Sequence, residues 1–417
     1  MMRGSNRSSN RWRWAFVAVI YVFNILYFMF QGGKTPMMLF VILNVLIIYL
    51  ILGQWSGIRL VQGTRTVAQN SGSDGMMHSG MSVDVSLHIR IPGFYPLPYV
   101  LVRDRLLRHD GQSVPFETSF VPNWKRSGEV RYTTPPLKRG VYQFASTQCL
   151  TRDVFGLFEH SGSFETVSTF SVMPQAVPLR DWYRFRRGLR GPHSHASAPR
   201  AAKETTQING VREYLYGDKL SRVHWNATAK TGEWKSKAFE RESLPRTIVI
   251  LDRDTEAYGH FPERFEVAVS VATSIIDMGM KHETAMGLIS PGERATVLPP
   301  RIGVEQRSRM MGHLTVVEPD ATQPLFVAIQ KLEPIWEPGT LIIIVSGAAN
   351  EDMFRAMSWL SRKGVSLSYI GVDEPDARFG RLIKTTWLQS VRAKGWSAHS
   401  VRQLQELPTA LEGGGAS

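Results

Sequence analysis

NGVREYLYGDKLSRVHWNATAKTGEWKSKAFERE, residues 209–242, is the stretch on which the reading of the fold turns. Residues 208–216 have strand character, and Gly217-Asp218 closes that run with a turn. Asp218 is placed as an N-cap and Gly232 as a C-terminal stop. Between them Leu220, Val223, His224 and Ala227 fall at i, i+3, i+4 and i+7 on one helical face. From Glu233 onward Trp234, Ser236 and Ala238 alternate with Lys235, Lys237 and Phe239, so the two lysines share one face of a strand. The spacing therefore predicts strand, short helix, strand.

Arg212, Glu213, Tyr214, Asp218, Arg222, His224, Trp225, Lys230, Lys235, Lys237 and Glu240 crowd into this span, and two readings compete for them. One makes His224 a general base oriented by Asp218 or Glu213, with the lysines holding an anion. The other is a network of Arg-carboxylate pairs with one hydrogen-bonded histidine on an apolar face. The second is favoured, because no G-x-S-x-G, Walker loop, H-E-x-x-H or catalytic cysteine setting accompanies His224.

Downstream, a domain over 246–417 alternates strands and helices. Strands are expected at 246–252, 284–290, 341–346 and 366–373, and helices at 263–280, 304–313, 324–332 and 352–362. Such alternation implies a parallel, doubly wound sheet. Asp252, Asp254 and Glu256 lie on one loop after its first strand, with Ser346-Gly347 after the third. Three carboxylates there suit magnesium or calcium through oxygen ligands, or a solvated turn, and the turn is the preferred reading.

Upstream, a connector over 178–207 carries seven Lys or Arg against the single acid Asp181 between Arg180 and Lys203, with Trp182, Tyr183 and Phe185 interleaved. It holds a large share of the formal +13. Basic residues among aromatics suit single-stranded nucleic acid or an anionic membrane surface, and a plain solvated arm suits them equally well. The membrane is preferred over nucleic acid for a chain already tethered to it.

Before the connector, residues 59–177 read as an all-β sandwich. Val83, Val85, Leu87, Ile89 and Ile91 alternate strictly with polar residues, the mark of a half-buried strand. Further strands are expected at 99–107, 129–133, 141–146 and 164–173, divided by turns such as Asp110-Gly111 and Ser127-Gly128. LKRGVY (137–142) reads as a turn into a strand, and DVFGLFEH (153–160) as a loop anchored by Phe155 and Phe158.

At the N-terminus, residues 1–58 hold a tail and a transmembrane hairpin with spans at about 14–30 and 37–55, in which Lys34 is the one charge from Trp14 to Leu52. Trp12, Trp14 and Trp55 extend both spans into the interface. Arg3, Arg7, Arg11 and Arg13 precede the first span, and Arg59 and Arg65 follow the second, so both termini and the soluble domains are expected in the cytoplasm of a multi-pass membrane protein. Asn24 and Asn44 fall at one depth of an antiparallel pair and are expected to bond across it, contributing about 1 kcal/mol. Cys149 is the single cysteine, which excludes an intrachain disulfide framework and a cysteine zinc cluster and leaves it a small buried side chain.

Arg212, Glu213, Tyr214, Gly217, Asp218, Arg222, His224, Trp225, Ala229, Lys230 and Gly232 give an R-E-Y, G-D, R-x-h-W, A-R/K-T-G series in order and spacing. In this the chain closely resembles the bacterial family known as domain of unknown function fifty-eight. RGVY at Arg139 and DVFGLF at Asp153 are similar to that family's R-G-x-Y and D-P-F-G-L elements, with Val154 in place of the proline. The resemblance implies a von Willebrand factor A-like fold for 246–417, whose metal loop would fall on Asp252, Asp254 and Glu256. It also implies a MoxR-type AAA ATPase and a transglutaminase-like membrane protein as partners. The expected function is therefore a non-enzymatic, membrane-anchored cytoplasmic scaffold, with the 208–245 segment as a docking surface. An enzyme or anion-binding effector centred on His224 is the alternative.

Overall fold

The computed structural model describes residues 5–53, 55–69, 76–179, 202–215, 220–243, 246–259, 261–332, 336–374 and 380–412. The chain divides into two units, Met1–Met173 and Pro174–Ser417.

In the first unit the two apolar runs form α1 (Ser5–Gln31) and α2 (Lys34–Gly53), both long and apolar enough to cross a membrane. Gly32 and Gly33, at φ 55° and 95°, make the turn between them. Phe28 and Phe40 stack at 5.4 Å, so the helices run antiparallel with near-equal depth at those rings. The expected Asn24–Asn44 bond does not form. Asn44 Nδ2 donates to the Phe40 carbonyl one turn back at 2.8 Å, and its Oδ1 accepts from the Tyr21 hydroxyl at 3.1 Å. The buried Asn24 Oδ1 is left without a partner among the described residues.

Among the described residues nine strands follow: β1 (Gln62–Gln69), β2 (Val83–Arg90), β3 (Val100–Arg108), β4 (Ser113–Phe120), β5 (Ser127–Thr133), β6 (Gly140–Phe144), β7 (Thr147–Arg152), β8 (Glu159–Phe164) and β9 (Thr169–Val172). One antiparallel sheet runs β1-β2-β5. The other runs β8-β7-β3-β6-β9, with β4 paired to β3. The apolar positions of β2 are 0–1% exposed and meet Val102, Leu106, Phe144 and Cys149 of the other sheet in one core. The single strand expected at 164–173 is two, because β8 pairs with β7 and β9 with β6 on the far side of β3. In the 153–160 loop Phe158 is buried, whereas Phe155 is exposed and meets only the edge of the Tyr49 ring. The second anchor is Asp153, whose carboxylate accepts from the backbone N–H groups of Phe155, Leu157 and Phe158.

In the second unit, β10 (Ala202–Glu213) begins inside the segment read as a linker and pairs antiparallel with β11 (Lys235–Ser243), with α3 (Trp225–Thr231) between them. The basic stretch 180–203 lies outside the described residues, apart from its last two positions in β10.

The α/β part then runs β12 (Arg246–Leu251), α4 (Thr255–Tyr258), α5 (Pro262–Lys281), β13 (Ala285–Ser290), β14 (Thr296–Arg301), α6 (Val304–Val316), α7 (Leu325–Gln330), β15 (Leu341–Ser346), α8 (Glu351–Arg362), β16 (Ser366–Val372), α9 (Gly380–Ala393) and β17 (Ser397–Val401). The sheet order is β14-β13-β12-β15-β16-β17, parallel throughout except for the antiparallel edge strand β14. The strands are apolar on both faces because helices cover both. α5 and α6 close one core with Val249, Leu251 and Ile343, while α7, α8 and α9 close the other with Ile250, Ile342 and Ile344. Chain order reverses direction at β12, which puts a topological switch point at the carboxyl ends of β12 and β15.

Candidate functional site

Two places concentrate polar side chains: the β10–β11 hairpin and the switch point of the α/β sheet. In the hairpin Arg212 stands opposite Ser236, Glu213 opposite Lys235 and Val211 opposite Lys237. Alternation puts Lys235 and Lys237 on one face and buries Ser236 completely on the other, as expected. Lys235 Nζ lies 3.2 Å from Glu233 and 3.7 Å from Glu213, so the clustered charges here satisfy one another at the surface. Arg212 donates to the Glu213 carbonyl at 2.9 Å.

The helix start differs from the expectation. α3 begins at Trp225, and His224 takes the N-cap. The cause lies in the hairpin. His224 N–H donates to the Lys235 carbonyl at 2.8 Å and Val223 bridges Ser236, which holds 223–224 extended and delays the helix. Residues 220–222 form only a 3-10 turn. Nδ1 of His224 accepts the Ala227 N–H at 3.1 Å. That bond engages the Nδ1 lone pair in capping the helix. Gly232 ends the helix as expected, at φ 73° with its N–H on the Thr228 carbonyl. Gly217, Asp218 and the side chain of Arg222 lie outside the described residues.

What the charge pattern did not disclose is an aromatic cluster. Trp234 stands 5.4 Å from Tyr214 and 6.1 Å from Trp225, all by ring centroid. Trp225 is 62% exposed and Trp234 51%, and Leu215 and Leu220 are also exposed. The signal available in the sequence was three aromatics within one strand-helix-strand unit.

At the switch point Asp252 is buried at 2% exposure, so the preferred solvated turn is not what this residue forms. Its Oδ1 accepts from Asp254 N–H at 3.0 Å and its Oδ2 from the Ser346 hydroxyl at 2.6 Å. Burial pushes the carboxyl up to about 6, against the lowering effect of the Ser346 bond. Asp254, raised by burial, caps α4 through the Glu256 N–H at 3.0 Å. Among the described residues no three His, Cys, Asp or Glu side chains gather so as to hold a metal ion. The Asp252 carboxylate instead accepts from the Asp254 N–H and from Ser346, and the Asp254 carboxylate from the Glu256 N–H. Arg264, buried beside them, donates to the carbonyls of Tyr258, Gly347 and Val372 and so fixes the loops around the switch point.

Comparison with known proteins gives one relative of substantial length. The chain is 27% identical over 342 residues to the "Uncharacterized protein YeaD" of Bacillus subtilis (strain 168), covering 78% of this chain and 80% of that one. Among solved structures, proximal thread matrix protein 1 from the mussel byssus is 15% identical at TM-score 0.30, covering 40% of this chain and 46% of that one. An aerotolerance-related membrane protein from Bacteroides fragilis NCTC 9343 is 17% identical at TM-score 0.29, covering 40% of this chain and 97% of that one. Likenesses at such scores carry no argument. The family described as "Protein of unknown function DUF58" matches residues 210–379, a span that opens in β10, takes in the whole of α3 and β11, and runs on through β16.

Proposed function

We propose that this chain is a membrane-anchored interaction protein with cytoplasmic soluble parts, which docks a partner protein through its signature hairpin. The observation that carries the reading is the cluster of exposed Trp225 and Trp234 with half-buried Tyr214, in the hairpin that carries Lys235 and Lys237. Large aromatics grouped at a surface are costly in water and are the side chains that anchor protein interfaces. The engagement of His224 as a helix cap supports docking over acid-base chemistry.

Arginines before α1 and after α2, against Lys34 alone in the turn, support the cytoplasmic orientation. A mixed sheet covered on both faces, with carboxylates at its switch point, supports reading 246–417 as von Willebrand A-like. We leave magnesium and calcium out of the proposal, since both oxygens of Asp252 already accept hydrogen bonds. Calorimetric titration with magnesium of wild type and Asp252→Ala checks this.

The resemblance to the domain-fifty-eight family makes a MoxR-type AAA ATPase the first partner to test, and a transglutaminase-like membrane protein the second. Affinity purification from native membranes tests both. Wild type is expected to enrich the ATPase, and Trp234→Ala and Arg212→Ala to reduce that enrichment several-fold. Wild type without ATPase removes the named partner. Full capture by Trp234→Ala removes the hairpin as the docking surface.

A further inference from the structure

The first unit has an apolar end that the docking reading does not use. Three loops of the β-domain close around the ends of the two apolar helices. In the 92–98 loop, Tyr95 lies 5.5 Å from the ring of Tyr49 in α2 and donates its hydroxyl to the Tyr49 carbonyl. In the 121–126 loop, Arg126 donates to the Ser56 carbonyl, just beyond α2. In the 153–158 loop, Phe158 packs tilted against Trp14 of α1 at 4.7 Å, Phe155 meets Tyr49 edge-on, and the Leu157 carbonyl accepts from Arg13.

Tyr49 is four residues short of the end of α2 at Gly53, hence about 6 Å inside it at 1.5 Å per residue. Rings from the helices and rings from the β-loops thus stand at one depth. That depth is where a spanning helix places its aromatic residues at the lipid headgroups.

The same loops expose Phe94, Trp124, Val154 and Phe155 at 57–104%. Lys125, also exposed, sits among them. The other end of these strands has no such surface at the β3–β4 turn. β3 runs nine residues from Val100, roughly 30 Å at a strand's rise, and turns there through Asp110, Gly111 and Gln112. Apolar exposure is thus concentrated on the side where the helices leave the domain.

We propose that this loop end is immersed in the headgroup layer of the bilayer, with Phe94, Trp124, Val154 and Phe155 as lipid-facing anchors. The occupant of the apolar surface is the lipid itself, because the surface is continuous with helices long and apolar enough to span. The β-domain then rests on the membrane as a monotopic footing around its own transmembrane pair. This rests on the membrane-anchored reading above.

Site-directed spin labelling of the full chain in lipid nanodiscs tests it. Cys149 is fully buried and stays in place, with the unsubstituted chain as the labelling blank. Labels go at Lys125→Cys and Val154→Cys, which leave Phe94, Trp124 and Phe155 intact. Val167→Cys, in the exposed β8–β9 loop, is the water reference, and Val19→Cys, halfway along α1, is the lipid reference. The expected result is an oxygen-to-nickel accessibility ratio at 125 and 154 several-fold above that at 167. Ratios at 125 and 154 equal to that at 167, with lipid character at 19, overturn the footing and leave the anchor standing. Water character at 19 overturns the anchor and the footing together.

Discussion

Arg65 and Asp104 meet inside the β-domain through two hydrogen bonds of 2.9 Å, with side chains 0% and 1% exposed. Arg65 also donates to Thr147 and to the Thr166 carbonyl, Tyr132 donates to Asp104, Arg65 Nε is left without a partner among the described residues, and the Phe144 ring lies 4.1 Å beneath the guanidinium. The pair joins β1 of one sheet to β3 of the other. A buried pair costs most when one member is removed and the other is stranded. Asp104→Ala should lower stability by about 3–5 kcal/mol, and the double replacement Arg65→Met with Asp104→Leu by clearly less. Denaturant melts of the full chain in detergent, followed by hydrogen exchange in β1 and β3, separate the two.

Asp252 makes stability depend on pH. Its carboxyl is raised to about 6 in the folded chain, from 3.8 in the unfolded one. The folded state therefore holds the proton more tightly. The contribution is fully present below pH 4 and is lost as pH rises through 6, up to ~3 kcal/mol in all. Asp252→Asn should flatten the slope between pH 4 and 6. Ser346→Ala, which removes a bond that favours the charged form, should move the transition to higher pH. Midpoints of unfolding measured across that range check both.

His224→Ala should cost about 1 kcal/mol, as the loss of an N-cap does, and His224→Asn should restore most of it. If His224→Asn is as stable as wild type yet loses partner capture, the imidazole has a role beyond its bond to Ala227.

For the helix pair the structure reverses the symmetric expectation. Asn44 has partners and Asn24 Oδ1 has none, so Asn44→Leu should weaken the pair by about 1 kcal/mol, while Asn24→Leu should leave it unchanged or tighten it. Crosslinking between the helices in membranes reads the difference.

Periodicity made much of this legible. β2, α5, β15 and α8 lie within a residue or two of where alternation and the 3.6-residue pattern put them, because each buries one continuous apolar set. β14 was not foreseen. Pro299 and Pro300 argue against a strand, and they are tolerated only because β14 is an antiparallel edge. Arg65 and Ser346, the long-range partners of Asp104 and Asp252, were out of reach for another reason. They lie 39 and 94 residues away in sequence, and no local pattern reports a bond that the fold closes across such a distance. In the hairpin the Gly232 stop and the shared face of Lys235 and Lys237 were read correctly and the cap of α3 was not, since the register of β10 on β11 puts His224 there.

The central place of β12 in its sheet sets an order for synthesis. Its neighbour β13 follows after α4 and α5, but its other neighbour, β15, ends at Ser346, 94 residues beyond Asp252. A chain emerging from the ribosome has both helices and all nine strands of the first unit in hand long before β12 can be flanked on its second side. Until then β12 holds an unpaired edge and apolar faces open to chance association, the exposure that makes parallel sheets slow and hazardous to fold. A chain already held at a membrane would wait out that interval fixed in place, apart from its neighbours in solution.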